Sequence, residues 1–217
     1  MLTRTETSVP GKPARSRRVR VAGEERRRQI IEAATTLFSR KGFRGTTTRE
    51  IASAVGVSEA MLFKHFATKE ELYAAIIEAK SHVERLMDTV VEAAQRGDDA
   101  EVLRTLAREM IARTRTDPTL MRLTIFSALE GHALSDMMFR SRVQQLDEFL
   151  SRYISRRIAA GAFRDVDPLQ AAWNFIGMVA YHTQLRELFR QKPPPHLTSD
   201  RAVEEIVQLF LNGVRRS

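Results

Sequence analysis

The chain has no cysteine among its 217 residues. Disulfide bonds, thiolate metal sites and cysteine nucleophiles are therefore excluded. No apolar run approaches the roughly 20 residues that a helix needs to span a bilayer. The N-terminus is basic but lacks the apolar core of a secretory signal peptide. We therefore expect a cytoplasmic protein that has no membrane partner.

Sequence signals of catalysis are also missing. The five histidines never form an H-x-x-x-H pair, and the chain contains neither G-x-S-x-G nor a glycine-rich phosphate-binding loop. His132 and His182 lie in apolar segments, where a partly buried, hydrogen-bonded histidine is commoner than a ligand. We predict that the protein is not an enzyme and binds no metal or cofactor. The alternative from another class is an all-α carrier or enzyme that uses an apolar pocket directly.

The positive charge is unevenly distributed along the chain. The formal net charge is +8, yet residues 1–80 contain 16 Lys and Arg against 9 Asp and Glu, whereas residues 81–217 contain 19 against 18. A basic segment beside a nearly neutral one is typical of proteins that bind a polyanion through its phosphates. A folded domain with a disordered basic tail would show the same asymmetry, because several of these cations lie within residues 1–22.

The pattern of residues 46–66 predicts two short helices joined by a tight turn. Thr47 with Glu50 forms a capping box that starts the first helix. Gly56 supplies the left-handed backbone that a sharp turn after a helix requires, and Ser58 is a natural N-cap for the second helix. The buried side of the second helix is predicted to contain Leu62, Phe63 and Phe66. A capped helix of about two turns, carried by another helix, suits insertion into a DNA major groove.

These residues carry a resemblance to a known family. The segment from Glu25 to Tyr73 resembles the DNA-binding domain of the tetracycline-repressor (TetR) family of transcriptional regulators. The spaced elements of the family pattern are here Phe38, Gly42, Phe43, Thr46, Thr47, Ile51, Ala52, Gly56, Val57, Ser58, Phe63, Phe66 and residues 69–72. Ala60 stands where the family often has Gly, and Phe63 stands where it often has Tyr. That tyrosine commonly contacts a DNA phosphate through its hydroxyl, which Phe63 lacks.

Helical periodicity without strand-like alternation predicts an all-α fold of about nine helices. The resemblance implies an N-terminal three-helix helix-turn-helix bundle followed by a larger domain for ligand binding and dimerisation. We predict a disordered basic arm over residues 1–22, the DNA-binding domain over 23–68 and the second domain over 69–217. The implied function is a ligand-responsive homodimeric repressor, released from a palindromic double-stranded operator by a small, mostly apolar molecule. An activator on the same fold is the nearer alternative.

The residues predicted to contact DNA lie at the start of each short helix and on the outward face of the second. Lys64 and His65 are outward hydrogen-bond donors, and Glu59 is placed to accept from a cytosine amino group. Ala60 and Met61 suit contact with thymine methyl groups. The others are expected mainly at the phosphates. The full predicted set is Thr47, Thr48, Arg49, Ser58, Glu59, Ala60, Met61, Lys64, His65 and Lys69.

The second half of the chain predicts helices over about 69–95, 99–114, 118–131, 134–160, 168–190 and 199–215. The middle of the 168–190 helix, residues 171–181, is apolar nearly all the way round, which predicts burial on several sides. A set of Met and aromatic side chains usually forms only core, although apolar pockets between bundle helices also bind ligands. The predicted effector-binding residues are Met87, Met110, Phe126, Met138, Trp173, Asn174 and Met178.

Two apolar stripes on the last two helices remain. Either each stripe packs on its own domain, or both join their counterparts in a dimer, as the family resemblance suggests. We predict the dimer, with Phe210 near its two-fold axis. The predicted dimerisation residues are Phe175, Val179, His182, Val203, Ile206, Val207 and Phe210.

Overall fold

A computed structural model describes residues 14–80, 90–131, 136, 137, 140 and 144–215. These residues form helices and connecting loops, with no strand among them apart from one isolated β-bridge between Phe163 and Arg215. The all-α prediction is confirmed. No helix in these ranges is long and apolar enough to cross a membrane.

The first three helices form the predicted small bundle. They are α1 (Ala14–Lys41), α2 (Thr48–Ala54) and α3 (Glu59–His65). Helix α1 begins at Ala14, so the part of the predicted arm from residue 14 to residue 22 is helical instead of disordered. Arg and Ala are good helix formers, and no proline follows Pro13 in this stretch to stop a helix from extending. The fully buried core of the bundle is Ile30, Ala34, Phe38, Ile51, Leu62 and Phe66.

Helix α4 (Lys69–Lys80) completes that core instead of standing apart from it. Leu72, Tyr73 and Ile76 are buried in the same apolar cluster as the bundle, together with Leu123 from a later helix. Residues 90–95 are again helical. The middle of the predicted 69–95 helix falls on residues 81–89, outside the described residues. The proposed domain limits at 23–68 and 69–217 stay predictions, since α4 packs with both parts of the chain.

Five further helices build the second part. They are α5 (Asp99–Thr116), α6 (Thr119–Glu130), α7 (Gln144–Ala159), α8 (Pro168–Thr183) and α9 (Ser199–Val214). Asp167 caps α8 ahead of Pro168, which occupies the first position of the helix. The α-helical hydrogen bonding of α8 stops at Thr183, and a π-helical turn over Gln184–Leu188 continues it. Helices α5, α7, α8 and α9 share one apolar core.

Candidate DNA-binding site

The turn between α2 and α3 is closed by a complete backbone capping motif. The amide of Gly56 donates to the carbonyl of Ser53 at 3.1 Å, and the amide of Val57 donates to the carbonyl of Ala52 at 3.0 Å. This pair of bonds is the Schellman arrangement, which places one residue in the left-handed region. Gly56 takes that position with φ 68°. The turn therefore sets the angle between the two helices through backbone geometry alone.

Both short helices begin at the predicted caps. The side chain of Thr47 accepts from the amide of Glu50, and Glu50 returns a bond from the amide of Thr47, so the capping box is complete. Ser58 accepts from the amide of Met61 at 3.2 Å. Lys41 reaches Glu50 from α1 at 2.6 Å. That hydrogen bond, followed by the one from the Thr47 amide, lowers the pKa of Glu50 to about 2.

The outward face of α3 presents Glu59, Ala60, Met61 and Lys64 to solvent, as predicted. His65 is half-buried. The assignment of Phe63 to the buried side is wrong, because its side chain is 45% exposed. Leu62 and Phe66 alone fill the space over α1 and α2. Residue 63 follows Leu62 by about 100° around the helix and so points away from them.

The starts of α2 and α3 are tied to each other by a side-chain hydrogen bond. The hydroxyl of Thr48 donates to a carboxylate oxygen of Glu59 at 2.6 Å. Glu59 is the first residue of α3 and is exposed, and its carboxylate has further acceptor capacity. Arg49 lies exposed next to Thr48. The structure thus brings the predicted hydroxyl, guanidinium and carboxylate groups together at one edge of the bundle formed by α1, α2 and α3, which we call the head.

Lys69 has a structural role that the sequence did not predict. Its ammonium donates to the carbonyl of Phe43 at 2.8 Å and to that of Thr46 at 2.9 Å. It also lies 4.1 Å from the centre of the Phe43 ring. Burial lowers the pKa of Lys69. Two of the three ammonium protons thus brace the loop between α1 and α2, and a phosphate contact through the third stays a prediction.

The same loop is held on its other side by Glu130, the last residue of α6. The Glu130 carboxylate accepts from the amide of Phe43 at 3.2 Å and from the amide of Arg44 at 3.2 Å. Gly42 makes this approach possible, because a Cβ there would lie 2.2 Å from a Glu130 oxygen. Sequence reasoning missed Glu130, since its partners are 86 and 87 positions away. Within the loop itself, only the glycine at position 42 indicates that another group approaches the backbone closely.

Aromatic packing reinforces this junction. The ring of Tyr73 on α4 lies 5.5 Å from the ring of Phe38 and 5.6 Å from the ring of Phe43, centre to centre. Its hydroxyl donates to the carbonyl of Leu123 on α6 at 3.2 Å. Burial raises the pKa of Tyr73 to about 12. The loop that leads into α2 is therefore packed between α1, α4 and α6.

Comparison with known proteins settles the family. Residues 30–76 match the model of the bacterial regulatory proteins of the tetR family, and residues 101–213 match the C-terminal domain of AefR-like transcriptional repressors. The chain belongs to the TetR family. It is thus a DNA-binding transcriptional regulator, and the prediction that it is not an enzyme is confirmed.

Individual TetR relatives agree with this assignment. The transcriptional repressor AcnR of Corynebacterium diphtheriae is 30% identical over 159 residues, which cover 71% of this chain and 76% of AcnR. The nucleoid occlusion factor SlmA of Vibrio vulnificus is 28% identical over 183 residues, covering 77% and 88% of the two chains. The structure of AibR with isovaleryl coenzyme A and operator DNA superposes with a TM-score of 0.61 at 26% identity, covering 85% and 97%. The hemolysin II regulator HlyIIR shares the fold with a TM-score of 0.67 at 16% identity, covering 90% and 99%.

The predicted effector-binding residues of this TetR protein do not converge on one cavity. Phe126 lies near Gly42 at the junction with the head, whereas Met110 packs on the core of the second domain. Asn174 and Met178 line an open groove between α8 and α9. Met87 and Met138 lie outside the described residues. Helical spacing identified an apolar face but could not tell which neighbour that face meets.

Trp173 occupies a different environment from the other predicted effector residues. It is 47% exposed, and its indole N–H donates to Asp147 on α7 at 2.9 Å. The second oxygen of that carboxylate is buried without a hydrogen-bond partner among the described residues. Burial, opposed by the bond from Trp173, raises the pKa of Asp147.

The predicted dimerisation residues are mostly core residues of the single chain. Phe210 is 6% exposed, and its ring lies 5.2 Å from the ring of Phe175. Ile206 packs on the same core, and His182 is half-buried. Those fully within the core are Phe175, Val179, Val203, Val207 and Phe210. The most apolar stripes of α8 and α9 are used to join α5 and α7, so a partner subunit would have to meet other residues of these helices.

The outer face of α8 and α9 is open in the single chain, so the predicted burial of α8 on several sides stays a prediction that depends on a partner subunit. Trp173 and Tyr181 are exposed on α8, and Leu209 is 65% exposed on α9. Gly177 and Gly213 lie on the same outward side, with nothing within 4 Å of where a Cβ would stand. This arrangement leaves an exposed apolar surface with two glycines at which another backbone could approach closely.

Proposed function

We propose that this TetR regulator is a cytoplasmic homodimeric repressor that leaves its operator when a small molecule binds the second domain. The observation that carries the proposal is the bond from Glu130 of α6 to the loop that precedes α2. A ligand beside residues 90–95 that shifts α5, which packs on them and contacts α6, changes the support of that loop, and the loop leads directly into Thr47, the cap of the helix-turn-helix. Effector binding and DNA binding are then coupled through a shared structural element.

The effector we propose has an apolar body and an acidic group. An open groove of about 620 Å³ lies between residues 90–95 and α7, and several of its lining residues are exposed to solvent. Its lining includes the apolar Val91, Ala94 and Phe149 and the basic Arg152 and Arg156. The neighbour AibR, solved in complex with isovaleryl coenzyme A, binds a molecule that joins a short apolar acyl group to an acidic carrier, which supports an effector with both features.

We propose that the outer face of α8 and α9 forms the dimer interface. The face combines exposed Trp173, Tyr181 and Leu209 with the two glycines, and an exposed apolar patch of this kind is typical of an interaction surface. In a two-fold dimer a Leu209→Glu substitution places a charge in the interface from each subunit. We expect Leu209→Glu to be monomeric by light scattering. Leu129→Glu, at a 78% exposed leucine on α6, should stay dimeric.

Selection of bound duplexes from a random DNA pool tests whether the head binds DNA as part of a dimer. A dimer should select a palindrome whose half-sites are about 34–36 Å apart. Arg49→Ala and Lys64→Ala should each weaken binding and lower the slope of log affinity against log salt by about 1, as expected for one lost phosphate contact. Selection of a single unpaired half-site by the wild type would contradict the dimeric reading.

Titration with an acidic apolar probe tests the effector site. Octanoate or isovaleryl coenzyme A should release the protein from the selected operator, and Arg156→Gln should weaken that release without changing DNA affinity in the absence of the probe. Equal release of the wild type and Arg156→Gln would place the effector elsewhere.

A further inference from the structure

A second groove, of about 530 Å³, lies at the junction of α1, the first turn of α6 and the segment that follows the π-helical turn. Each of these three elements contributes one arginine to its lining: Arg40, Arg122 and Arg190. The hydroxyl-bearing residues Thr36, Ser39 and Thr119 complete most of the wall. This junction cleft is separate from the apolar groove beside α7 and shares no residue with it.

The three arginines of the junction cleft lack a counter-charge within the described ranges. No hydrogen bond or ion pair joins their guanidinium groups to a protein acceptor, and no Asp or Glu lines the cleft. Glu187 lies three residues from Arg190 and Asp117 lies five residues from Arg122, but neither lines the cleft, and Asp117 is already bonded to Lys80 at 2.6 Å. Other arginines of the chain, such as Arg104 and Arg157, each have a carboxylate partner. Three like charges brought to one cavity repel each other unless an anion joins them.

The backbone of Arg190 gives an independent reason to assign it a role. Arg190 has φ 54° and is the one non-glycine residue with positive φ among the described residues. Its position is held by the amide of Gln191, which donates to the carbonyl of Leu185 at 2.9 Å. A glycine is the most stable residue at such a helix end, and an arginine there is strained. Such strain is often found at functional sites.

We propose that the junction cleft binds the phosphate groups of a small phosphorylated molecule. Guanidinium groups match phosphate oxygens in paired hydrogen bonds and stay charged at all physiological pH values. The volume of the cleft exceeds that of a single phosphate and accommodates a diphosphate or triphosphate. Since α1 belongs to the head and α6 to the second domain, the bound anion stabilises one relative placement of the two. This site stands whether or not the effector groove beside α7 is correct.

Binding of pyrophosphate to the DNA-free protein tests the proposal. Isothermal titration at constant ionic strength should show saturable binding to the wild type. Arg122→Gln and Arg190→Gln should each weaken it about tenfold, the effect of losing one charge-assisted contact. Arg201→Gln, on the exposed face of α9, should bind as the wild type does. Arg190→Gly should weaken binding while raising the melting temperature, because glycine relieves the strained backbone.

The outcomes separate the possible sources of the anion. Absence of pyrophosphate binding to the wild type, or equal binding by the wild type and the Arg122 and Arg190 variants, would overturn the proposal. A third outcome is that pyrophosphate fails to bind while the same variants lower the salt slope of operator binding. In that case the arginines contact the DNA phosphates, and the proposal of a small-molecule site is wrong. Weaker binding by Arg190→Gly together with a higher melting temperature cannot be explained by misfolding and supports the site.

Discussion

Replacement of Glu130 by alanine tests the link between the two parts of the molecule. The carboxylate of Glu130 accepts from the amides of Phe43 and Arg44, each at 3.2 Å. The substitution removes these bonds to the loop together with the other contacts of the carboxylate. Because the loop runs directly into the cap of α2, we expect the helix-turn-helix to lose its fixed placement.

The expected magnitude follows from the surroundings of the two amides. A hydrogen bond to a charged group contributes about 1.5–3 kcal/mol. The Arg44 amide is exposed and regains a water, whereas the Phe43 amide is partly buried and does so less well. We therefore expect Glu130→Ala to lower the free energy of unfolding by about 2–3 kcal/mol, not by the sum of two full bonds. Glu130→Gln keeps a neutral acceptor and should lose roughly half as much.

The direction of the change in DNA affinity separates two explanations. Removing a negative charge from a basic protein should by itself strengthen DNA binding. Loss of the loop's support should instead weaken it, by about tenfold if the coupling free energy is near 1.4 kcal/mol. Fluorescence anisotropy with the selected operator measures the affinity, and hydrogen exchange at Phe43 and Arg44 reports the loop. Glu205→Ala removes a charge from an exposed pair on α9 and serves as the control.

The inference about Glu130 fails if Glu130→Ala binds operator as tightly as Glu205→Ala or more tightly. It also fails if the exchange rates of the Phe43 and Arg44 amides do not change. Weaker DNA binding with unchanged exchange would show that Glu130 acts by another route.

Three further predictions concern the head itself. Gly56→Ala should lower the free energy of unfolding, measured by urea titration, by about 1–2 kcal/mol. The cost is backbone strain, because φ is 68° and an added Cβ meets no neighbouring atom. An unchanged urea midpoint would contradict this prediction. Lys69→Met should lower the free energy of unfolding by about 1–3 kcal/mol, because it leaves two carbonyls unsatisfied, and should not change the slope of log DNA affinity against log salt. Lys64→Met should lower that slope without changing the free energy of unfolding. A lower slope for Lys69→Met would show that Lys69 contacts a phosphate. The Glu50 carboxylate should titrate near pH 2 by NMR, so the stability it contributes is present above its unfolded pKa of about 4.5 and is lost as the pH falls toward 2. Lys41→Met should raise the pH at the midpoint of this titration. An unchanged midpoint would exclude Lys41 as the main cause of the low pKa.

The helix-turn-helix could be predicted from the sequence because its signals are local. A cap and its partner lie three residues apart in Thr47 and Glu50, and the turn depends on the conformational freedom of Gly56 alone. Local signals of this kind act through backbone hydrogen bonds that form wherever the rest of the chain lies. The N-cap of α3 at Ser58 and the outward position of Lys64 could be predicted in the same way.

The errors share another cause. An amphipathic stripe predicts that a face is buried but not which surface covers it. Phe210 and Phe175 were assigned to a partner subunit, yet they pack on each other inside one chain. Phe63 was placed on the buried side with Leu62 and Phe66, although it follows Leu62 by about 100° around the helix and is exposed.

The sequence by itself determined the helical fold, the caps, the turn and the basic character of the head, since each depends on neighbouring residues or on summed charge. Only the tertiary structure decided what the long polar side chains do. Lys69 turns inward to the carbonyls of one loop, and Glu130 meets the amides of the same loop from the far half of the chain. These contacts join residues 23 to 87 positions apart. No periodicity or local propensity contains such distances, because they arise only when whole helices have packed.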